Sequence, residues 1–298
     1  MKTFLRIFFL IIFFFFPGVL CAAEPETGPP LAQASRVDAE YTVSVIPFYG
    51  PEKIWALYTP FVDYLKESTG KPWTLKLFPT HETLIDSLCQ GKIAMSLLGP
   101  VPLAKVMAKC NAEPLVVALN KDGAPTYRSI FVTTDPAVTS LQGLKGKWVG
   151  FFKGSTVAHI LPRQILRQAG LAKEDITPLF LEGQDHIVNS LLSRQVAAAG
   201  LKETLYNKFK DQGLRVLATS DPLPNFAFAA SPQASMASRK LFADTLLRLA
   251  PASNESDRKR MEKWDDEIRN GFVPATDVFR ASVKELLVIT DEIMREDR

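Results

Sequence analysis

From Tyr41 onward the chain alternates between two spacings of apolar residues. Tyr41-Thr-Val-Ser-Val-Ile46 alternates and is β-branched, which predicts a strand. Ile54, Leu57, Tyr58, Phe61, Val62 and Leu65 then share one helical face, and Gly70 closes that helix. Trp73–Phe78 predicts the next strand. Thr80 caps a helix through Cys89, with Glu82 and Thr83 in its first turn and Gly91 after its end. Ile93–Leu98 is a fully apolar strand that stops at Gly99-Pro100, a helix follows from Pro102 to Lys109, and Pro114–Leu119 is a strand. Strands separated by helices predict a mostly parallel sheet with both faces covered.

A second cycle starts near Thr134. Leu141–Gly146 is a short turn, Lys147–Phe152 a strand, and Gly154-Ser155-Thr156 leads into a helix ending near Ala169-Gly170. Strands at Ile176–Leu181, Val196–Gly200 and Leu214–Thr219 alternate with helices at Gln184–Arg194 and Lys202–Lys210. Asn225–Ala230 reads as extended chain returning to the first unit. From about Ser235 the chain is charged and helical, with no further sheet-forming cycle, and suits a tail packed on the first unit. The expected architecture is α/β in two lobes, each a mixed, mostly parallel sheet flanked by helices. Crossings near Tyr127–Thr134 and Ser220–Ala230 join them. The first lobe takes residues 40–130 and 226–298, and the second takes 131–225.

The N-terminus follows another pattern. Lys2 and Arg6 precede an apolar run from Ile7 to Phe16, then Pro17-Gly18 and small residues at Ala22 and Ala23. That order is a secretory signal, and its apolar run falls short of the ~20 residues that span a bilayer. Residues 1–23 are expected to be the signal, cut after Ala23. A lipid anchor at Cys21 is the alternative. Residues 24–39, rich in Pro, Ala, Glu and Gly, read as a flexible tether.

Composition narrows the chemistry. Of 35 basic residues, Lys2 and Arg6 belong to the signal, which leaves 33 against 32 acidic ones. That balance, with no Lys/Arg cluster, argues against a nucleic-acid partner. His81, His159 and His186 are scattered and no Cys or His spacing suggests a metal or cofactor. Cys89 and Cys110 survive processing. An oxidising compartment permits a disulfide between them, and two buried thiols are the plainer expectation. No nucleophile–base pair or carboxylate pair can be placed, so an enzyme is not expected.

Two lobes around a hinge expect a ligand in the cleft, at strand ends and helix starts. Phe152-Lys-Gly-Ser-Thr156 joins a strand to a helix, and Ser155 and Thr156 there offer hydroxyls beside the exposed N–H groups of a helix start, an anion seat. Gly99 lets backbone come close to a ligand, and Pro100 starts a helix without losing a needed donor. Tyr127 opens the first crossing. His81 and Gln184 stand at helix starts, Val157 follows Thr156, and Tyr49 lies in the Pro47–Pro51 loop. These nine residues are the candidate ligand-binding set.

From Tyr41 to Ala230 the chain resembles the phosphonate/phosphite/phosphate family of ABC-transporter substrate-binding proteins, which have the periplasmic-binding-protein type II fold. The most specific stretch is Glu82-Thr-Leu-Ile-Asp-Ser-Leu-Cys-Gln-Gly-Lys-Ile-Ala-Met-Ser-Leu-Leu-Gly-Pro100. Tyr127-Arg-Ser-Ile resembles the family's Tyr-x-Ser strand. Leu141-Gln-Gly-Leu-Lys-Gly-Lys-Trp-Val-Gly150 resembles its turn-to-strand segment, and Ser155-Thr156 the start of its anion loop. The chain departs from the pattern at Val157 (a hydroxyl), Ala158 (Gly), His81 (Tyr), Gln184 (His) and Ala197 (an acid). Thr204 and Phe226 fall near places where aminophosphonate binders carry acids. The resemblance implies a periplasmic, monomeric binder of a small oxyanion without an amine, working with an ABC permease in the inner membrane. The alternative on the same fold is a sensing input to a membrane kinase.

Overall fold

β1 (Thr42–Val45) is buried along its whole length because it sits inside a parallel sheet, where both faces are covered. The structure is a computed structural model and describes residues 40–297. The expected signal, the tether and Cys21 lie outside the described residues. Among the described residues no helix is long and apolar enough to cross a membrane.

The first sheet runs β13-β4-β12-β3-β1-β2. Its members are β1, β2 (Thr74–Lys76), β3 (Met95–Leu98), β4 (Glu113–Ala118), β12 (Ala227–Ala230) and β13 (Phe272–Pro274). Helices α1 (Pro51–Thr69), α2 (His81–Cys89) and α3 (Pro100–Cys110) connect the early strands, and α7 (Met236–Leu247) and α8 (Glu255–Met261) follow β12. α1 starts at Pro51, earlier than its apolar stripe, because proline suits a first helical turn. β12 is antiparallel to both β3 and β4, so the returning chain is wedged into the middle of the sheet.

The second sheet runs β10-β6-β9-β7-β8. It contains β6 (Ser129–Thr133), β7 (Trp148–Phe151), β8 (Thr177–Phe180), β9 (Ala198–Lys202) and β10 (Arg215–Thr219). Helices α4 (Leu161–Gln168), α5 (Gln184–Leu192) and α6 (Glu203–Phe209) flank it. β9 lies two residues later than its apolar run suggests and takes in Lys202, a charge that periodicity assigns to a helix. Between the sheets, β5 (Thr126–Tyr127) pairs antiparallel with β11 (Leu223–Pro224), Tyr127 opposite Leu223. The two crossings are thus hydrogen-bonded to each other. Both expected cycles and both crossings are present, in the type II arrangement.

Three expectations change. The C-terminal part is not wholly helical, since β13 adds an edge strand with Phe272 opposite Ala118. A Phe-Val-Pro run is too short for an alternating signal. The last helix, α9 (Asp277–Glu296), does not pack on the first lobe alone. Twenty residues span about 30 Å. The helix lies along α3, and its end meets the second lobe, where Asp297 pairs with His159 (2.6 Å) and Arg163 (3.2 Å). Finally, Cys89 and Cys110 are not two thiols but a disulfide, with Cα atoms 5.5 Å apart. They end α2 and α3, which pack side by side and bring distant cysteines together.

The bridge closes a loop with a sequence separation of 21 residues. Cys89→Ser, Cys110→Ser and the double variant should each lose about 3 kcal/mol in urea unfolding, by the loss of loop constraint in the unfolded chain. A double variant much weaker than the singles would contradict this.

Candidate functional site

Helix starts from both lobes converge on one small cavity between them. His81 begins α2 behind a Thr80–Thr83 capping box, Gly99 caps α3, Gln184 begins α5, and Ser155 caps a wide π-type turn, Thr156–Ile160, that runs into α4. All five of these site residues line the cavity, with Tyr127, Val157, Phe48, Phe152 and Phe226 among its walls. Its volume is about 20 Å³, room for about one water molecule. Among the described residues lining it, none is Lys or Arg. The helix starts that face it carry the positive ends of their dipoles.

The lobes meet through polar groups. Thr156 Oγ1 accepts the Val101 N–H across the cleft at 3.1 Å. The Gln184 N–H donates to the Phe48 carbonyl at 3.0 Å. Ser155 Oγ accepts the Ala158 N–H of its own turn, and Ser129 Oγ donates to the Val157 carbonyl. β9 must come close to that carbonyl: a Cβ on Gly200 would lie 2.1 Å from it and 2.4 Å from Pro162 Cγ. Only glycine fits there.

Two side chains on the cavity wall are buried without partners. Tyr127 Oη lies near Thr156 yet makes no hydrogen bond, and neither ring nitrogen of His81 has a partner. Burial, with the charge of Glu267 behind it, pushes the Tyr127 phenol well above its usual range, against a small pull from Thr156. It stays a protonated donor. Burial, with the charge of Lys105, pushes His81 down to about 3, so its imidazole is neutral and one ring N–H can donate. Its ring stands edge-on to Phe152, centroids 4.8 Å apart.

The remaining candidates lie off the cavity. Pro100 is buried as the first residue of α3, and Pro102 lines the wall instead. Tyr49 lines a larger adjoining groove, with Lys53 Nζ 3.5 Å from its ring centroid. Lys53 also pairs with Asp185 of the other lobe at 2.7 Å.

Sequence reasoning missed the aromatic walls and one buried cation. Phe48 and Phe152 follow β1 and β7, where ligands gather at strand ends, so their position was the available signal. Lys202 is fully buried behind the cavity, its ammonium 4.3 and 4.1 Å from the ring centroids of Tyr127 and Phe226. Glu267 pairs with it, Asn225 Oδ1 accepts from it at 2.9 Å, and Thr204 Oγ1 donates to Glu267. Nothing local in the sequence marks that pairing, because 65 residues separate its partners.

Two α/β lobes joined by a pair of crossings, with helix starts facing the cleft, have the periplasmic-binding-protein type II fold. The chain belongs to the family described as ABC transporter, phosphonate, periplasmic substrate-binding protein, whose sequence profile matches residues 43–278. That is a family of extracytoplasmic binding proteins for ABC transporters, not of enzymes. A binding protein component of an ABC phosphonate transporter from Pseudomonas aeruginosa has a similar structure, with a TM-score of 0.73 over 86% of this chain and 87% of that one, at 16% identity. PhnD1 from Prochlorococcus marinus in complex with methylphosphonate gives 0.71 over 86% and 98%, at 13% identity. A putative aliphatic sulfonates-binding protein of Escherichia coli is 32% identical over 108 residues, 36% of this chain. The match spans about a third (33%) of that relative.

His81 has a signed pH consequence. Its folded pKa lies below the usual 6.5, so between about pH 6.5 and 3 an unfolded or opened chain binds a proton that the closed form refuses. Stability is therefore lost as pH falls through that window. Asp265, pushed up to about 7 by burial and by Glu267, acts with the opposite sign. The comparison is therefore made with His81→Gln. Between pH 7 and pH 5 the wild type should lose about 2 kcal/mol more than the variant in urea unfolding. Equal losses would mean that His81 is in water.

Proposed function

We propose that the protein captures a small tetrahedral oxyanion, of the phosphonate, phosphite or phosphate type, between the lobes at this cavity, which widens from its present one-water volume to admit the anion, and delivers it to a membrane permease. The observation that carries the reading is the pair of unpartnered buried donors, Tyr127 Oη and His81, on a wall where helix starts converge. A buried polar group without a partner costs about 1–3 kcal/mol, and an anion oxygen within reach removes that cost. Helix starts in both lobes attract the same charge, so the ligand favours closure. Shutting the cleft excludes water and strengthens each bond to the anion, typically about 1.5–3 kcal/mol net.

The comparisons support the ligand class. The Prochlorococcus marinus neighbour holds methylphosphonate, and the Escherichia coli relative is described for aliphatic sulfonates. Both ligand types share a three-oxygen anionic head. The site also argues against an amine-bearing ligand. Near the places of the amine-binding acids stand Phe226, an aromatic wall, and Thr204, bonded to Glu267, whose carboxylate already holds Lys202. Residues 1–23 serve as the export signal in this reading, with a mature protein that starts at Glu24 and acts as a monomer.

Isothermal titration with phosphate, phosphite and methylphosphonate should give heat with at least one. Tyr127→Phe should weaken that binding by about 10- to 100-fold, the range of one hydrogen bond to charge. No heat and no thermal shift with any small oxyanion would sink the ligand class. Mass spectrometry of the secreted protein should find Glu24 first, and a diacylated Cys21 would replace the soluble form with an anchored one.

A further inference from the structure

We infer that His159 and Asp297, neither of which lines the cavity, are positioning residues for anion capture: Asp297 fixes the one His159 tautomer that can accept the Gly154 N–H, and that bond holds the turn that presents Ser155. This rests on the anion seat proposed above. Gly154 stands between two cavity walls, Phe152 and Ser155, and its φ of 77° lies in the left-handed region that glycine favours. The turn is tight, since the Ser155 N–H donates to the Phe152 carbonyl at 2.9 Å. Gly154 also packs on His81, where a Cβ would lie 3.5 Å from Nδ1. A shift of the Gly154 peptide therefore moves the Ser155 cap and the contact with His81 together. His159 anchors that peptide. Its side chain is fully buried, and its Nδ1 meets the Gly154 N–H at 3.1 Å.

The bonds admit one arrangement of protons. A backbone amide can only donate, so Nδ1 must accept and carries no proton. The proton of the neutral ring then sits on Nε2, 2.6 Å from Asp297 Oδ2. Burial pushes the Asp297 carboxyl up, but the His159 bond and the charge of Arg163 outweigh that push and hold it below its usual range. Being ionised, it offers no proton and accepts only from an Nε2–H. Its other oxygen meets Arg163 Nη2 at 3.2 Å, and that side chain is buried too. Neither oxygen can turn away without leaving a buried donor unpaired. Phe151 and Phe180 stand edge-on to the imidazole and hold its plane. A helix that lies along α3 of the first lobe thus sets the shape of a turn in the second.

Asp297→Asn separates this role from packing. Arg163 needs an acceptor, so it keeps the amide oxygen and turns the amide NH2 toward Nε2. Nε2 must then accept, the proton moves to Nδ1, and two donors face each other at Gly154. Nitrogen NMR of the mature protein, read at its histidines, should show a bare His159 Nδ1 in the wild type and a protonated one in Asp297→Asn. In calorimetric titration with phosphate, phosphite and methylphosphonate, each ligand that binds the wild type should bind Asp297→Asn about 10-fold more weakly. His159→Asn keeps an amide oxygen on Cγ, where Nδ1 was, and should bind more tightly than His159→Gln, whose amide lies one carbon further out. The reverse order would overturn the inference. A protonated Nδ1 in the wild type would do so with no variant at all. Wild-type affinity in Asp297→Asn, with only its thermal stability lowered, would reduce the tie to a structural one, and the inference would fall while the anion seat stands. If none of the three anions binds the wild type, the anion seat itself is wrong and the inference falls with it.

Discussion

The two lobes are held against each other by polar groups that find their partners across the cleft. Thr156 belongs to the second lobe, yet its hydroxyl accepts the Val101 N–H at the start of α3 in the first. Phe48 belongs to the first lobe, yet its carbonyl accepts the Gln184 N–H at the start of α5 in the second. The early N–H groups of a helix have no partner within it. Each lobe thus completes a helix end of the other. The same geometry brings several helix starts to one point, the feature on which the proposed anion seat rests. The hinge follows from the same need. Because β5 and β11 are hydrogen-bonded to each other, the two crossings form one paired connection between the lobes.

Behind this surface lies a second layer that fixes it. Lys202 and Glu267 form a buried ion pair between β9 and the chain before β13. Burial lowers the lysine pKa, and the nearby carboxylates, Glu267 first, oppose that shift. Breaking such a pair by removing one member leaves an uncompensated buried charge. The ammonium also lies against the rings of Tyr127 and Phe226 and so holds two walls of the cavity in place. On the opposite side, His159 Nδ1 accepts the Gly154 N–H at 3.1 Å, which leaves its proton on Nε2 to meet Asp297. The end of α9 is thereby tied to the turn at Gly154 that precedes Ser155.

The departures from the family pattern acquire physical meaning at these contacts. Val157 lacks a hydroxyl, but its carbonyl is the group in use, held by Ser129 and approached by Gly200. His81, where the resemblance expects a tyrosine, is kept neutral by burial and is able to donate one hydrogen bond. Gln184 contributes its backbone N–H to lobe contact whatever its side chain does.

Local pattern was enough for most of the fold. Alternation and helical spacing located the strands, the helices and the two cycles, because each reflects which face of one element is buried. Capping and turn residues likewise marked Ser155, Gly99 and His81 as helix starts, since an N-terminus must satisfy its free N–H groups within a few residues. Only the tertiary structure decided that Phe272–Pro274 is a strand, that α9 spans both lobes, that Cys89 meets Cys110, and that Lys202 is buried with Glu267. These are contacts between residues far apart in the chain. Their energies depend on which surfaces come together, and no periodicity along the sequence carries that information. The size of the groove beside His81 belongs to the same class, because two lobes build it and neither contains it alone.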